Sequence, residues 1–342
     1  MNIQDTLRKR VASLPGPKRG DALFEGTTYP REWKDFIGQD EAKQFIMASI
    51  ASAKIRGRRL DHTLIATGAH GVGKSALARL IAKELDVGLM EVQGAVDVTE
   101  AARIFSSMKN NDILFWDEIH LAVAKGKSRA EWLLPVLQDG VIVTSQGVAA
   151  IPDITIIGAT TEVQRLPETI ISRFTVRPVL ESYTPEQADR IVEVTALALW
   201  SSLNLPLPNG YTREVIATAA NHNPRAISQL LKILRDSALS GNATVCRDGL
   251  YSTDAVFRWS GLTTDGLDKL AQEYLLTLYM QPGFKAGEKT IAQALGEPMP
   301  PRHTEKLLIQ KGLVRVCSSG RELTAIGSER TLELMEDLGL VS

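Results

Sequence analysis

The chain has 342 residues, 44% of them hydrophobic, so it can form more than one packed core and two or three domains are expected. Its 39 basic and 40 acidic residues nearly balance, which excludes a strongly basic nucleic-acid-coating protein and requires any DNA contact to use a local basic surface. Its two cysteines lack metal-ligand spacing and no apolar run approaches the roughly 20 residues of a membrane span, so we expect a cytoplasmic protein without a zinc site.

After a basic, amphipathic leader at residues 1–28, the first strong motif is "GAHGVGKS", which matches G-x-x-x-x-G-K-[ST]. The apolar run "TLIAT" precedes it, and "ALARLIAKEL" follows with leucines at helical spacing. Strand, loop and helix in this order predict a phosphate-binding loop, because backbone N–H groups and the helix N-terminus converge on the phosphates. Lys74 would then reach the β- and γ-phosphates of ATP, and the Ser75 hydroxyl would hold Mg²⁺. The loop residues assigned to the nucleotide are Gly68, Gly71, Val72, Gly73, Lys74, Ser75 and Ala76.

Two further apolar runs end in polar residues. "DILFWDEIH" predicts a buried strand with Asp117 and Glu118 at its carboxyl end, where open α/β sheets bind their ligands. Asp117 would join the Mg²⁺ shell and Glu118 would polarise a water, whereas the alternative is a simple acidic turn. "ITIIGATT" predicts a third strand, and the hydroxyls of Thr160 and Thr161 could sense the γ-phosphate or merely end a core strand.

Two arginines follow. Arg173 lies in "ISRF", a short interval after the third strand, and Arg225 opens a helix directly after Pro224. Each, taken singly, is also compatible with an ordinary surface arginine. Between them, "SYTPEQ" carries a capping box that starts a helix, and two more helices are expected before a turn-rich segment near Thr253.

The last part of the chain has the plan of a winged helix. Two helices, "KTIAQALG" and "HTEKLLIQKG", precede a hairpin formed by "LVRV" and "ELTA". Helix-turn-helix proteins use the second helix and flanking loops on DNA, although such domains also serve as protein-docking modules. The candidate DNA contacts are Arg302, Lys306, Arg315 and Arg321.

Together these motifs resemble AAA+ ATPases, and within that class the RuvB family of Holliday-junction branch-migration motors. The likeness runs from about Tyr29 to the C-terminus through "DFIGQDEAK", "DHTLIATGAHGVGKSALA", "ILFWDEIH", "IIGATT", "SRF", "NPRAI", "GLTTDGLDKL", "TIAQALGE" and "LIQKGLVR". It implies an α/β fold with a P-loop parallel sheet at residues 29–181, a helical lid at 182–253 and a winged-helix domain at 254–342. The matching positions are Lys74, Ser75, Asp117 and Glu118 as the ATPase core, Thr160 as first sensor, Arg173 as arginine finger and Arg225 as second sensor. Pro224 would contact the nucleotide, and Ile37, Gly38 and Tyr183 would lie beside the adenine.

The resemblance also implies an assembly. The arginine finger of such motors acts on the neighbouring subunit's ATP, so we expect a homo-oligomeric ring, typically a hexamer, around double-stranded or branched DNA. The segment "VIVTSQGVAAIPDIT" is shorter than the one that forms the RuvA-docking hairpin of bacterial members. We therefore expect the hairpin to be shortened or even lost, and no stable complex with a typical RuvA protein.

Three functions remain distinguishable from the sequence. The first is an ATP-driven translocase acting on branched DNA, the second a AAA+ loader or remodeller of a protein complex in replication or recombination, and the third a nucleotide-switched scaffold that barely hydrolyses ATP. Glu118 and Arg173 argue against the scaffold. The winged helix favours the translocase over the loader.

Overall fold

The structure is a computed structural model that describes residues 16–24, 27–123, 132–318 and 320–340. Most of the predicted leader, residues 1–15 together with 25 and 26, lies outside the described residues. Within them, no helix is long and apolar enough to cross a membrane.

The first domain is a layered α/β unit. Its elements in chain order are α1 (Asp40–Arg56), β1 (Thr63–Thr67), α2 (Lys74–Leu85), β2 (Leu89–Gln93), α3 (Val98–Ser107), β3 (Ile113–Asp117), α4 (His120–Val123), α5 (Leu133–Asp139), β4 (Val141–Thr144), β5 (Gly147–Ala150), β6 (Thr155–Thr160), α6 (Glu168–Ile171) and β7 (Val179–Leu180). Five of these strands form one sheet in the order β2-β3-β6-β1-β7, with parallel pairing throughout. Parallel pairing brings the carboxyl ends of β1, β3 and β6 to one edge, where the predicted site residues begin.

Alternation along β3 divides the core between the two faces of this sheet. Ile113 and Phe115 pack into the cluster that contains α1, α2 and the lid, whereas Leu114 and Trp116 pack into the cluster formed with α3 and α5. Because both faces are covered, the strand is apolar at every position up to Asp117, as parallel strands usually are. The predicted P-loop parallel sheet is confirmed.

The described part of the leader belongs to this domain's packing. Lys18 forms an antiparallel bridge with Leu89 at the edge strand β2, and Arg19 forms an ion pair with the buried Asp112. Leu23 and Phe24 are buried in the core cluster that contains α1 and α2. Residues 16–24 are therefore part of the ATPase domain rather than a separate leader.

The lid contains α7 (Pro185–Trp200), α8 (Gly210–Ala219), α9 (Pro224–Leu239) and α10 (Asp254–Ser260). The capping box predicted at Thr184 is present, with Gln187 as its partner. α10 packs against α9, and Val256 belongs to the same core cluster as the other lid helices. The packing unit of the lid thus ends after Ser260, several residues beyond the boundary predicted from the turn near Thr253.

The C-terminal domain has its own core. Its elements are α11 (Lys269–Tyr279), β8 (Lys285–Ala286), α12 (Glu288–Ala294), α13 (Arg302–Gln310), β9 (Val314–Cys317), β10 (Gly320–Leu323) and α14 (Ala325–Asp337). The three strands pair antiparallel in the order β8-β10-β9 and enclose a cluster centred on Tyr274, Ile291 and Leu308. The predicted winged helix is confirmed.

A short hairpin corrects one expectation. β4 and β5 pair antiparallel across a two-residue turn, from Val141 opposite Ala150 to Thr144 opposite Gly147. Val143 and Val148 face each other across the hairpin and are exposed. The hairpin is therefore short and is not lost, because four residues per strand suffice for a two-stranded ribbon.

Candidate active site

The phosphate loop joins β1 to α2 and needs glycine at two positions. Gly71 has φ +77° and Gly73 has φ +112°, both in the region that favours glycine. A Cβ on Gly71 would lie 2.4 Å from Oδ1 of Asn223, and a Cβ on Gly73 would lie 3.0 Å from the ring of Phe36. Conformation and crowding therefore both fix the glycines of the motif.

Lys74 lies between the two acidic residues that end β3. Its Nζ donates to Oε1 of Glu118 at 3.2 Å and lies 3.8 Å from Oδ1 of Asp117. The Lys74 side chain is only 6% exposed, so its charge acts with little solvent screening. The predicted lysine and both carboxylates thus meet at the carboxyl edge of the sheet.

Glu118 is held from several sides. It has a left-handed φ of 52°, which is uncommon for a residue other than glycine and is often found at functional sites. Its Oε2 accepts the Thr161 hydroxyl at 3.2 Å, and its two oxygens lie 3.5 Å from Nδ1 of His70 and 3.3 Å from Nδ1 of His120. The backbone turn therefore directs this carboxylate into the site.

The pKa of Glu118 is lowered in these surroundings. Burial alone would raise the pKa of the carboxyl, but the charge and hydrogen bond of Lys74 outweigh it, with a smaller contribution from the Thr161 backbone N–H. The carboxylate is therefore ionised at neutral pH and can accept a hydrogen bond from a water.

The two threonines after β6 have different surroundings. Thr160 is fully buried, and its hydroxyl faces Nδ1 of His120 at 2.8 Å and accepts the Glu162 N–H. Thr161 instead brings its hydroxyl to Glu118. Thr161 therefore contacts Glu118, whereas Thr160, the first sensor that the resemblance implies, contacts His120.

A cavity of about 880 Å³ extends from the acids to the lid. Ile37, Tyr183, Pro224 and Arg225 line it together with Lys74, Ser75 and Ala76. Of the described residues assigned to the nucleotide, Gly38, Gly68 and Val72 do not line it. The Tyr183 hydroxyl donates to the Val72 carbonyl at 2.8 Å, so Val72 meets the site through its backbone.

The donor set suits Mg²⁺ bound together with phosphates. Ser75 and Asp117 line the same cavity, and hydroxyl and carboxylate oxygens are the ligands that Mg²⁺ prefers. Among the described residues, no cluster of three or more His, Cys, Asp or Glu side chains could hold a metal alone. This agrees with a cation that keeps several waters and binds largely through its nucleotide.

Comparisons with known proteins agree with this geometry. Residues 28–180 match the family model described as Holliday junction DNA helicase RuvB P-loop domain, and residues 264–331 match the RuvB C-terminal winged helix domain. A protein of Rubrobacter xylanophilus named Holliday junction branch migration complex subunit RuvB is 32% identical over 314 residues, which cover 88% of this chain and 85% of the relative. The chain belongs to the RuvB family.

Solved structures extend the comparison to the whole RuvB architecture. The Thermotoga maritima RuvB Holliday junction branch migration motor has a TM-score of 0.71 at 28% identity, covering 89% of this chain and 97% of that one. The FIGL-1 AAA domain in complex with ADP is similar in fold alone, with a TM-score of 0.51 at 15% identity over 70% of this chain and 82% of that one. The ATPase domain, lid and winged helix therefore recur together in RuvB.

The two predicted arginines of this RuvB-family chain occupy different places. Arg225 is in the first turn of α9, exposed and lining the cavity. Arg173 follows α6, is exposed and does not line the cavity. Within the described part of the chain, no hydrogen bond or ion pair of the Arg173 side chain is recorded. Arg173 thus lies outside the cavity that contains Lys74 and Glu118.

The four candidate DNA-binding residues of the RuvB winged helix differ in whether their side chains already contact other protein groups. Arg321 donates to Glu305, forms an ion pair with Glu288 and is 16% exposed. Arg315 pairs with Glu322, and Lys306 donates to the Gly68 carbonyl of the phosphate loop at 2.7 Å. Arg302 is exposed and has no recorded side-chain partner among the described residues.

Sequence reasoning missed two histidines of the RuvB site, His70 and His120. His70 occupies an unspecified position of the loop motif, and His120 follows the acids by two residues. A lone histidine in either place has no distinctive spacing, so the local sequence carries only a weak signal. The left-handed turn at Glu118 brings both within 3.5 Å of its carboxylate.

Proposed function

We propose that this chain is an ATP-hydrolysing motor that translocates duplex DNA and drives branch migration of four-way junctions. The observation that carries the proposal is the buried Lys74 between Asp117 and an ionised Glu118 at the carboxyl edge of a RuvB-type sheet. A loader or remodeller of protein complexes would share this site, but the winged helix and the family membership favour the DNA motor.

Hydrolysis follows from the positions of the chain's own groups. Lys74 exchanges its contacts with the acids for the β- and γ-phosphates, and the N-terminus of α2 adds its dipole to the same place. The freed Glu118 carboxylate then orients a water in line with the γ-phosphate, while the Thr161 hydroxyl holds the carboxylate in position through its hydrogen bond. Mg²⁺, held by Ser75 and Asp117, would neutralise charge on the phosphate oxygens.

Arg173 and Arg225 complete the proposed site from two directions. Arg225 approaches the phosphates from the lid of the same subunit, because it lines the cavity. Arg173 approaches the ATP of a neighbouring subunit, because it lies outside its own cavity and is exposed. Turnover then requires assembly, for which a ring, typically hexameric, is the proposed form.

The partner expectation changes with the hairpin. The Rubrobacter relative is named as a subunit of a branch migration complex, so a further subunit is proposed for this chain too. The β4–β5 hairpin, although short, exposes Val143 and Val148 as an apolar surface that a RuvA-type partner could contact. A calorimetric titration with a RuvA protein measures this interaction directly.

The decisive test of the function class is the ATPase rate with no DNA, single-stranded DNA, duplex DNA and a four-way junction. A DNA motor is expected to turn over ATP faster with duplex or junction DNA than with single strands. A rate that no DNA changes, together with stimulation by a protein complex of the replication or recombination machinery, would favour the loader instead.

A further inference from the structure

Three side chains from outside the phosphate loop donate hydrogen bonds to its backbone carbonyls. The carbonyls of alternate residues Gly68, His70 and Val72 each accept one hydrogen bond from outside the loop. The distances are 2.7 Å for Gly68, 2.6 Å for His70 and 2.8 Å for Val72. One side-chain donor therefore contacts every second peptide of the loop.

The hydrogen-bonded carbonyls determine the direction of the N–H groups in the same peptides. In a trans peptide the C=O and the following N–H point in opposite directions, so an outward carbonyl places the next N–H inward. These peptides carry the N–H groups of Ala69, Gly71 and Gly73, and the Ala69 N–H donates to the Thr67 hydroxyl at 3.3 Å. The three hydrogen bonds therefore restrict the conformation of the loop that is expected to bind the phosphates.

Each donor comes from a different part of the molecule. Tyr183 lies between β7 and α7, at the connection from the ATPase domain to the lid. Its burial raises its pKa to about 12, so the hydroxyl remains a donor at neutral pH. Asn223 caps the N-terminus of α9 through Oδ1 and donates its Nδ2 to the loop.

The third donor is Lys306, which lies on the second helix of the winged-helix domain, α13. Its Nζ reaches Gly68 across 238 residues of sequence. A separate hydrogen bond, from Asn221 of the lid to the Gly266 carbonyl at 2.8 Å, joins the lid to the start of the C-terminal domain. The winged helix is therefore in direct contact with the nucleotide-binding loop.

We propose that Lys306 is a positioning residue of the phosphate loop, supplied by the winged-helix domain, and that DNA phosphates compete with Gly68 for its ammonium group. The first half needs no DNA. The second half rests on the proposed function, since it takes duplex DNA as the ligand of the winged helix.

The hydrogen bond from Lys306 to Gly68 can be replaced by a contact between Lys306 and a DNA phosphate. Lys306 is exposed, so its hydrogen bond to a neutral carbonyl is screened by water and modest in strength. A DNA phosphate carries a full negative charge and is the stronger acceptor for an ammonium group. Release of Lys306 would loosen the first peptide of the loop and weaken nucleotide binding, which speeds the exchange of ADP for ATP.

The DNA-free test compares three variants of the full chain by titration with a fluorescent ATP analogue at low salt. Lys306→Met is expected to weaken ATP binding about two- to fivefold, and Lys306→Arg to retain most of the affinity. Lys289→Met is the matched control, because Lys289 is exposed on the same domain and has no recorded side-chain partner among the described residues. An unchanged melting temperature without nucleotide separates this effect from unfolding, and ATP affinity equal to wild type in Lys306→Met contradicts the proposal.

Asn223→Ser provides a second variant. Serine keeps the cap of α9 but lacks the amide that reaches His70, so ATP affinity is expected to fall again while the helix remains capped. Combined with Lys306→Met, the loss should exceed that of either single change. An Asn223→Ser chain that binds ATP as tightly as wild type contradicts a role for these side-chain donors in positioning the loop.

The DNA arm repeats the titration with saturating duplex DNA. In the wild-type chain, DNA is expected to weaken ATP binding by about the factor seen for Lys306→Met, and in Lys306→Met it should have no further effect. Failure of the wild-type chain to bind duplex DNA would overturn the proposed function and leave the DNA-free result standing. Tight DNA binding with unchanged ATP affinity would overturn the competition alone.

Discussion

At the scale of single residues, Lys74 and Glu118 have separable roles. Lys74→Ala removes a phosphate ligand, so ATP binding should be lost. Glu118→Gln keeps the shape of the side chain but not its charge, so binding should persist while turnover falls about a hundredfold or more. Fluorescent-nucleotide titration with Mg²⁺ and steady-state ATPase rates measure both. Equal loss of binding in the two variants would contradict this division of roles.

His62 gives a pH-dependent prediction for stability. Burial, with a smaller effect of Arg59, lowers its pKa from 6.5 to about 4, and its Nδ1 accepts the Ile156 N–H between β1 and β6. The unfolded chain binds this proton more readily than the folded one between pH 6.5 and 4. The free energy of unfolding should therefore fall as the pH drops through that window, by up to about 3 kcal/mol.

The variant His62→Asn isolates this contribution, because an asparagine oxygen can accept the same N–H without titrating. Urea unfolding at several pH values should show a flatter dependence below pH 6.5 for this variant than for wild type. The matched control is the same substitution at the exposed His303, measured in parallel. Parallel curves for wild type and His62→Asn would contradict the role of His62.

The sequence predicts a site residue when short-range spacing along the chain fixes the position of that residue. Lys74, Asp117 and Glu118 were predictable, because the loop motif and the strand end place them by short-range geometry. The choice between Thr160 and Thr161 was not, because it depends on which side of β6 faces Glu118 after packing. The side chains that donate to the phosphate-loop carbonyls come from distant parts of the chain. Their contacts depend on how the domains pack together, which local sequence patterns do not predict.

At the scale of elements, Arg321 and Arg302 of the winged-helix domain have different expected roles. Arg321→Ala removes the ion pairs with Glu305 and Glu288 and leaves Glu305 only the Tyr274 hydroxyl, so the winged-helix domain should lose about 1–3 kcal/mol of stability. Arg302→Ala should leave stability unchanged and reduce the salt dependence of duplex binding by about one phosphate contact.

Thermal unfolding and binding isotherms at several salt concentrations distinguish the two changes. If Arg321→Ala leaves the melting temperature unchanged and alone reduces the salt slope, the wing arginine contacts DNA as the sequence predicted. In that case the ion pairs with Glu305 and Glu288 open on binding.

Element boundaries show the limits of prediction from local signals. Strands β1, β3 and β6 of the central sheet were predictable because each is a continuous apolar run, whereas β2 contains Glu91 and Gln93 and β7 has only two residues. α10 was assigned to the wrong packing unit, because a turn near Thr253 looks like a domain boundary while burial of Val256 against the lid is a tertiary effect. The retention of the β4–β5 hairpin was missed because the expectation rested on segment length alone.

At the scale of the whole molecule, Arg173 links subunits in the proposed ring. Arg173→Ala should bind ATP but turn it over slowly, since an arginine finger contributes on the order of 10³ to 10⁵ in rate. Mixed with a Lys74→Ala chain, it should regain part of its activity, because its intact pocket receives Arg173 from the neighbour. No recovery at any mixing ratio, despite co-assembly shown by light scattering, would place the finger in its own subunit.

Branch migration of a synthetic four-way junction by the full chain, followed by fluorescence energy transfer between labelled arms, tests the central claim most directly. With ATP and Mg²⁺, the wild-type chain should move the junction until the arms separate, whereas Glu118→Gln, which still binds ATP, should not. The reaction is run with and without a RuvA protein. Movement that needs no ATP hydrolysis, or a stationary junction in both conditions despite DNA-stimulated ATPase activity, would contradict the account of this chain as a branch-migration motor.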